Sequence, residues 1–427
     1  MLSYIKKVLQ NEDYKRITNN ILSLFSLQGI NYILPLITFP YLTRVLGPDK
    51  YGLIAFSFAF IGYFQILTDY GFNLSATREI SIYRKENEKI SDIFNSVMAT
   101  KLILLVISFL IMTFLILTFE KFRHEALLYF FTFGLVIGNL LMPSWFFQGV
   151  ERMRYISLLN MAISIIFTIS IFIFIRQASD YIYVPLINAI GTILIGIIAL
   201  MIVRCEFNIN FALPSFNNIK YQVQEGWHIF LSTIAISFYT TSNTFILGLF
   251  VSPTILGYYA VAENILKMII GLLGPFTQSV YPYISSLAIK SQKKALGFIK
   301  KVSIIMAFFT FMLSITLFLI AGFVIHLLAG NQYDNSIILL QIMSLLPFII
   351  GMSNVFGVLF LFAFGYSNKV SKIQLILGCL YPLILLPLTY RFLAEGTAFS
   401  FLIIETLITL SFWFIYKNII SNMDIEY

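Results

Sequence analysis

Charge is what this chain has least of. Asp, Glu, Lys and Arg make up 11% of its 427 residues, against 59% hydrophobic residues. A soluble domain carries about a quarter charged residues, so no single water-bounded core accounts for this apolar excess. Histidine and cysteine are nearly absent, at three and two. His124, His228 and His326 are scattered, and Cys205 and Cys379 have neither metal-type spacing nor an obvious disulfide partner. That removes a structural metal site and a disulfide scaffold. No Walker motif occurs, so ATP is not the direct driver of whatever the protein does. Long loops are missing as well. The largest polar stretches are 73–95 and 204–226, which leaves no room for a soluble catalytic domain, and no enzymatic activity is expected. Residues 1–20 are polar and basic, and the first apolar block lacks a small-residue cleavage site. That block is expected to remain as the first span.

What is present is a series of apolar blocks about twenty residues long, the length needed to cross a bilayer as helix. The alternating short segments of a β-barrel are not seen. The reading is an all-α polytopic membrane protein of about twelve helices. The blocks lie at roughly 18–41, 51–72, 96–119, 126–148, 156–175, 181–203, 227–250, 255–283, 302–325, 336–365, 373–390 and 397–416. Those at 255–283 and 336–365 are too long to stand upright. Gly271, Gly274 and Pro275 interrupt one, and Pro347, Gly351 and Gly357 the other, so kinks are expected.

The net charge of +8 sits in short loops, where it sets orientation. If both termini share a face, that face holds 21 Lys and Arg, the opposite face 6, and Lys267 alone falls inside a span. The positive-inside rule then places both termini in the cytoplasm. The expected organisation is a cytoplasmic segment 1–17, a six-helix lobe 18–203, a linker 204–226, a second six-helix lobe 227–416 and a cytoplasmic tail 417–427.

A weak repeat supports two lobes. Shifting the chain by 205 residues lays Pro48, Gly52 and Ala55 on Pro253, Gly257 and Ala260. Gln28, Pro35 and Thr38 fall on Thr233, Thr240 and Asn243, spacings that keep each set on one helix face. Six helices per half give both halves one orientation, with a site expected between them. Gly52, Ala55, Ala59 and Gly62 line one face of the second span and predict close packing there.

Ionisable residues at bilayer depth are costly and tend to face protein or water. Lys267 is the clearest, with Glu263 one turn before it. The pair reads either as a cavity cation tuned by its neighbour or as a self-neutralised structural pair. Glu405 in the last span has no local partner and reads as a proton or cation site, or as the mate of a distant basic residue. Asp69 precedes Gly71 at the end of the second span, a helix-end position and a further candidate for ion coupling. Arg44, just past Pro40, either snorkels to head groups or faces a central cavity.

Several long segments carry a resemblance. PLITFPYLTRVLGPDKYGLIAFSFA at 35–59, DYGFNLSATREIS at 69–81 and PSWFFQGVERM at 143–153 resemble the polysaccharide-repeat transporters of the O-antigen flippase (Wzx) type. So do YPYISS at 281–286 and YDNSIILLQIMSLLPFIIGMSNVFG at 333–357. The resemblance implies the multidrug/oligosaccharidyl-lipid/polysaccharide exporter fold, twelve helices in two lobes around a central cavity. It implies a substrate of undecaprenyl-diphosphate-linked oligosaccharide, moved from the cytoplasmic to the periplasmic leaflet of the bacterial inner membrane by alternating access. By position, Lys267 and Arg44 are the carry-overs for the basic lining of that cavity. A diphosphate needs donors and cations, which Lys267 and the polar stretch Thr240–Thr244 would supply, while Gln28, Asn31 and Asn243 suit neutral sugars. No cofactor is implied; a proton or sodium gradient is the candidate driver, through Glu263, Asp69 or Glu405. The expected partners are the lipid-linked oligosaccharide and membrane lipids, with the polysaccharide polymerase and chain-length regulator as candidates and no nucleic acid. Capsule-type repeat export, drug or cation antiport and a membrane polymerase are the alternatives.

Overall fold

The computed structural model describes the backbone from Glu12 to Ile425 and the side chains from Ile33 to Ser421. Every regular element among these residues is helical. Among the described residues, ten helical stretches are long and apolar enough to cross a membrane, counting one bent pair as a single span. Two of the ten are double. Helix α1 (Glu12–Asp69) loses helical geometry at Gly47, φ 70° and ψ 172°. The Phe39 and Tyr51 rings lie only 6.0 Å apart, whereas twelve residues of unbroken helix would separate them by about 18 Å. The last helix (Ser367–Ile425) likewise turns back at Leu393, φ 50°, and the Thr389 and Thr397 hydroxyls bond at 2.8 Å. With those two stretches counted twice, the ten hold the twelve predicted spans.

The chain forms two compact units, one of them Leu34–Gly257 and the other the residues up to Ile33 together with those from Tyr258 on. The first holds α1 from Leu34 on with α2 (Phe72–Ile82), α3 (Asn87–Thr118), α4 (Ala126–Leu141), α5 (Ser144–Gly149), α6 (Met153–Phe174), α7 (Tyr183–Glu206), α8 (Phe216–Thr240) and α9 (Ser242–Phe250). Its tightest pairing is α4 on α7, where Gly134 and Gly138 lie against Ala189 and Thr192. Small residues let two backbones approach closely when lipid supplies no hydrophobic drive.

At the end where the basic turns gather, this unit is tied by polar clamps. Arg84 makes a two-pronged bond to Glu151, both at 2.7 Å, Tyr155 donates to Glu206, and Asn95 donates to the Asn210 carbonyl at 2.9 Å. Below the clamps, Phe72, Phe94, Trp145, Phe146 and Phe147 are essentially fully buried.

The stretch 204–226, expected as a linker, is built into this unit. Ile209 is buried in its core, and the Phe211 ring stacks on Phe94 at 5.8 Å. The Ser215 hydroxyl caps α8 by accepting from the Asn218 amide at 3.3 Å, so half the expected linker is helix. Helix α8 then packs along α2 and α3. Gly71 makes this possible. It sits in the left-handed region, φ 80°, and a methyl group on it would lie 2.5 Å from Ile229. The seventh predicted span, 227–250, therefore groups with the second to sixth, where the sequence places it in the other lobe.

The second unit contains α10 (Pro253–Gly271) from Tyr258 on, α11 (Leu273–Lys290), α12 (Gln292–Leu328), α13 (Asn335–Met343), α14 (Leu346–Ser353), α15 (Asn354–Phe362, a π-helix) and α16 (Ser367–Ile425). The expected breaks are there. The 255–283 block divides at Leu272, and the 336–365 block becomes α13, α14 and α15, with Pro347 in the first turn of α14. Ser314 accepts from the Phe348 amide at 3.1 Å, and Thr409 donates to the Ile349 carbonyl at 3.1 Å.

The 205-residue repeat is visible as a contact. A methyl group on Gly52 would lie 1.9 Å from the Pro253 carbonyl oxygen, and one on Gly257 would lie 2.0 Å from the Pro48 carbonyl oxygen. Thr254 donates to Asp49 at 3.5 Å, again 205 residues apart. Each residue thus touches the neighbourhood of its own repeat mate, the reciprocity of a two-fold contact. The small-residue stripe accounts for Gly52 but not for Gly62, which has nothing within 4 Å of an added methyl. Overpacking a filled contact costs about 1–3 kcal/mol. Gly52→Ala and Gly257→Ala are each expected to lower the Tm of purified protein, and Gly62→Ala is expected to leave it unchanged. Equal melting of all three would show that the crossing is not close-packed.

Candidate functional site

The physics that sorts candidate residues is the cost of charge at bilayer depth: each ionised group needs a counter-charge, water or a bound ion. In the first unit, Asp69 ends the second arm of α1, followed by Tyr70 and Gly71, both at positive φ. Its carboxylate is fully engaged. Lys101 of α3 donates to Oδ1 at 2.9 Å and Asn139 of α4 donates to Oδ2 at 3.0 Å. Lys101 is 1% exposed. The sequence counts this lysine among the 21 basic residues of the cytoplasmic face and leaves Lys267 alone inside a span. Lys101 is a second, and no window around it reveals the acid 32 residues earlier that neutralises it.

Thr240 and Asn243 flank the break between α8 and α9, which bend by 55°. Thr240 is exposed and turns its hydroxyl to the Ile236 carbonyl at 3.1 Å. Ser242 and Asn243 are fully buried, and Tyr63 donates to the Ser242 hydroxyl at 2.7 Å. The polar run 240–244 is thus where a span is interrupted, a geometry that exposes backbone groups to a ligand in transporters. Arg44 is exposed on the first arm of α1, three residues before the Gly47 reversal. The side chains of Gln28 and Asn31 lie outside the described residues. Two cavities of this unit, each about 300 Å³, contain none of the predicted site residues. One is lined by Glu79, Lys89, Asp92 and Gln222, the other by Phe56, Lys121, His124 and Tyr129.

In the second unit, Lys267 and Glu263 meet on one face of α10 at 3.1 Å, as the four-residue spacing predicts. Their surroundings differ sharply. The Glu263 side chain is 5% exposed and the Lys267 side chain 53%. The neighbours on α10 are shut in: Val261, Ala262, Ile265 and Leu266 are all below 2%. The ammonium is therefore the open point of an otherwise buried turn, about 21 Å along the helix from Pro253. Glu405, on the second arm of α16, is 9% exposed. Glu405 and Lys267 sit on different helices, and no bond between them occurs among the described residues.

Residues 17–288 match the family model described as "Polysaccharide biosynthesis protein". The chain is 35% identical over 399 residues to a protein of Escherichia coli (strain K12) named "Putative O-antigen transporter", with 93% of this chain and 96% of that one covered. The chain belongs to the polysaccharide biosynthesis protein family. Among solved structures, the lipid II flippase MurJ in an inward closed conformation matches with a TM-score of 0.76 at 14% identity, over 92% of this chain and 87% of that one. An inward-facing multidrug resistance MATE family transporter of the MOP superfamily matches at 0.70 and 14%, over 92% and 95%. At such identities the likeness is one of fold. It gives this member of the polysaccharide biosynthesis family the all-helical exporter fold that its sequence implies. The part matched by the family model takes in Arg44, Asp69, Lys101, Thr240, Glu263 and Lys267, while Glu405 lies beyond it.

Removing one member of a buried ion pair strands the other and costs about 3–5 kcal/mol, whereas removing both is far cheaper. Asp69→Asn and Lys101→Met are each expected to lower the Tm of purified protein, and the double variant to recover most of the loss. A double variant as unstable as the sum of the two would contradict the pairing.

Proposed function

We propose that this protein is a flippase for undecaprenyl-diphosphate-linked oligosaccharide repeat units, O-antigen or a similar surface polysaccharide. It carries them from the cytoplasmic to the periplasmic leaflet of the bacterial inner membrane by alternating access. The observation that carries this reading is the exposed Lys267 ammonium in the buried turn of α10. A lysine that far along an apolar span is tolerable where it faces water or an anion, and a diphosphate is such an anion, bound by charge-assisted hydrogen bonds. The names of the relatives support the class: one is called an O-antigen transporter, and MurJ is called a lipid II flippase.

The parts fit the physical problem. A sugar head cannot enter hydrocarbon, while a polyprenyl tail can stay there. The interrupted span at 240–244 offers hydroxyls and backbone groups to neutral sugars, with Gln28 and Asn31 as further candidates. The excess of Lys and Arg on one face orients both termini toward the cytoplasm, which is the side where the substrate is loaded. Glu263 holds Lys267 in place and leaves its remaining N–H donors to the ligand. The polysaccharide polymerase and the chain-length regulator are the natural neighbours of such a flippase, since they act on what it delivers.

Lys267→Ala is expected to reduce surface glycan by roughly tenfold or more, the loss of about one charge-assisted hydrogen bond, at unchanged membrane abundance. Lys267→Arg is expected to retain most of it. Wild-type glycan on cells carrying Lys267→Ala would remove Lys267 from the substrate path.

A further inference from the structure

The flippase reading leaves one polar cavity of the first unit unused. It has a volume of about 290 Å³ and lies between the last turn of α2 and the first turns of α3 and α8. That is the end of the unit where the basic turns gather. Every side chain of this unit, Leu34–Gly257, is among the described residues.

The walls of the cavity are short of donors. Gln222, one of the lining residues, is 2% exposed. Its Nε2 donates to Glu79 Oε2 at 2.8 Å, while its Oε1 is buried and has no donor. The carboxylate fixes the orientation of this amide, since turning it over would set oxygen against oxygen. A clamp between α2 and α8 needs only the Nε2 bond and does not explain a second, unmet acceptor in the wall. Glu79 itself has no ion pair among the described residues, and the neighbouring charge that acts on it, Glu225, has the same sign. The carboxylate of Asp92, also in the wall, is without a partner among the described residues. Lys89, the basic residue of the lining, is already placed: it bonds Glu86 at 2.9 Å and lies over the Tyr83 ring at 4.4 Å.

We propose that this cavity binds a primary ammonium group, supplied by the head group of an aminophospholipid. An ammonium brings one positive charge and three N–H donors. The wall offers the Glu79 carboxylate, the Gln222 Oε1 and the Asp92 carboxylate as acceptors, two of them charged. The half-exposed Tyr221 ring adds an aromatic face suited to a cation. A metal ion fits less well. It needs several converging oxygen ligands, and no group of three His, Cys, Asp or Glu able to hold one occurs among the described residues.

The surroundings of the cavity favour a lipid over a soluble amine. Leu213 and Phe216, where the chain enters α8, are 100% and 77% exposed, and Ile82 at the end of α2 is 62% exposed. Apolar side chains bared beside the polar end of a span suit the level where head groups meet hydrocarbon, an interface that also favours Tyr. A phospholipid seated there puts its ammonium in the cavity and its phosphate at the mouth. Lys89 gives one N–H to Glu86 and keeps others for that phosphate, and the side-chain amide of Asn218, also in the lining, is a further donor.

The test uses the full-length protein in lipid vesicles, with its melting temperature as the readout. Vesicles of phosphatidylglycerol alone are compared with vesicles that also contain phosphatidylethanolamine or phosphatidylcholine. Phosphatidylethanolamine is expected to raise the Tm of wild-type protein by about 2 °C or more. Phosphatidylcholine is expected not to, because its trimethylated ammonium donates no hydrogen bond. Glu79→Gln is expected to abolish the rise, and Asp92→Asn, at an exposed position whose loss does not threaten folding, to reduce it. Glu120→Gln, at the other end of α3, is expected to keep it whole. Putrescine added to phosphatidylglycerol vesicles separates the two sources of an amine. A rise with putrescine as large as that with phosphatidylethanolamine, and lost in Glu79→Gln, would overturn the lipid source and assign the site to a soluble amine. A rise that survives both Glu79→Gln and Asp92→Asn, an equal rise with phosphatidylcholine, or no rise with either amine would overturn the site itself. Melting reports binding whatever the cargo is, so failure of the flippase reading would leave this result standing.

Discussion

A charge inside a bilayer has three ways to exist: beside an opposite charge, in contact with water, or cancelled by a bound ion. The ionisable groups inside the spans of this protein differ in their surroundings. Asp69 and Lys101 are a pair and hold three helices together through Asn139. Lys267 keeps one neighbour and stays open. Glu405 has no counter-charge among the described residues. The first arrangement builds the scaffold, and the second suits an anionic ligand. The same constraint explains why charge is so scarce in the composition and why most of it is confined to the turns.

The second organising feature is the reciprocal crossing of Pro48–Gly52 and Pro253–Gly257. Close packing of backbone on backbone needs glycine on both sides, and the 205-residue repeat supplies it twice. Around that crossing, α8 and α9 pack along the first unit through Gly71, Tyr63 and the Phe56–Phe245 stack at 5.6 Å. The sequence divides the chain six and six, yet the seventh predicted span groups with the second to sixth, and the first is divided between the units at Leu34. The helix that joins the two halves has its own apolar surface to bury, and the nearest surface is on α2 and α3.

Much of this is legible in the sequence, because membrane physics acts on long stretches. The twelve apolar blocks, the reversals near Gly47 and Leu393, the breaks near Gly271 and Pro347 and the Glu263–Lys267 contact all follow from local composition and spacing. What is not legible depends on partners far away along the chain. Lys101 looks like the basic flank of a span until Asp69 is set against it. Residues 204–226 look like a linker because their polarity is local, whereas the pocket for Ile209 and the ring that Phe211 stacks on come from other helices. The π-helix at 354–362 has no signature of its own; only its packing against Phe412 and Tyr416 marks it. Of the candidate site residues, those on one helix are the ones whose geometry could be anticipated.

The central claim is that this protein moves a lipid-linked oligosaccharide across the membrane. The most direct measurement is to delete the gene in its host, with a plasmid copy as control, and to analyse both the lipid-linked intermediates and the surface polysaccharide. The account predicts that polyprenyl-diphosphate-linked repeat units accumulate, accessible only from the cytoplasmic side, and that the surface polysaccharide is lost. Single repeat units still reaching the surface, with only their chain length altered, would contradict it and assign the protein to a later step.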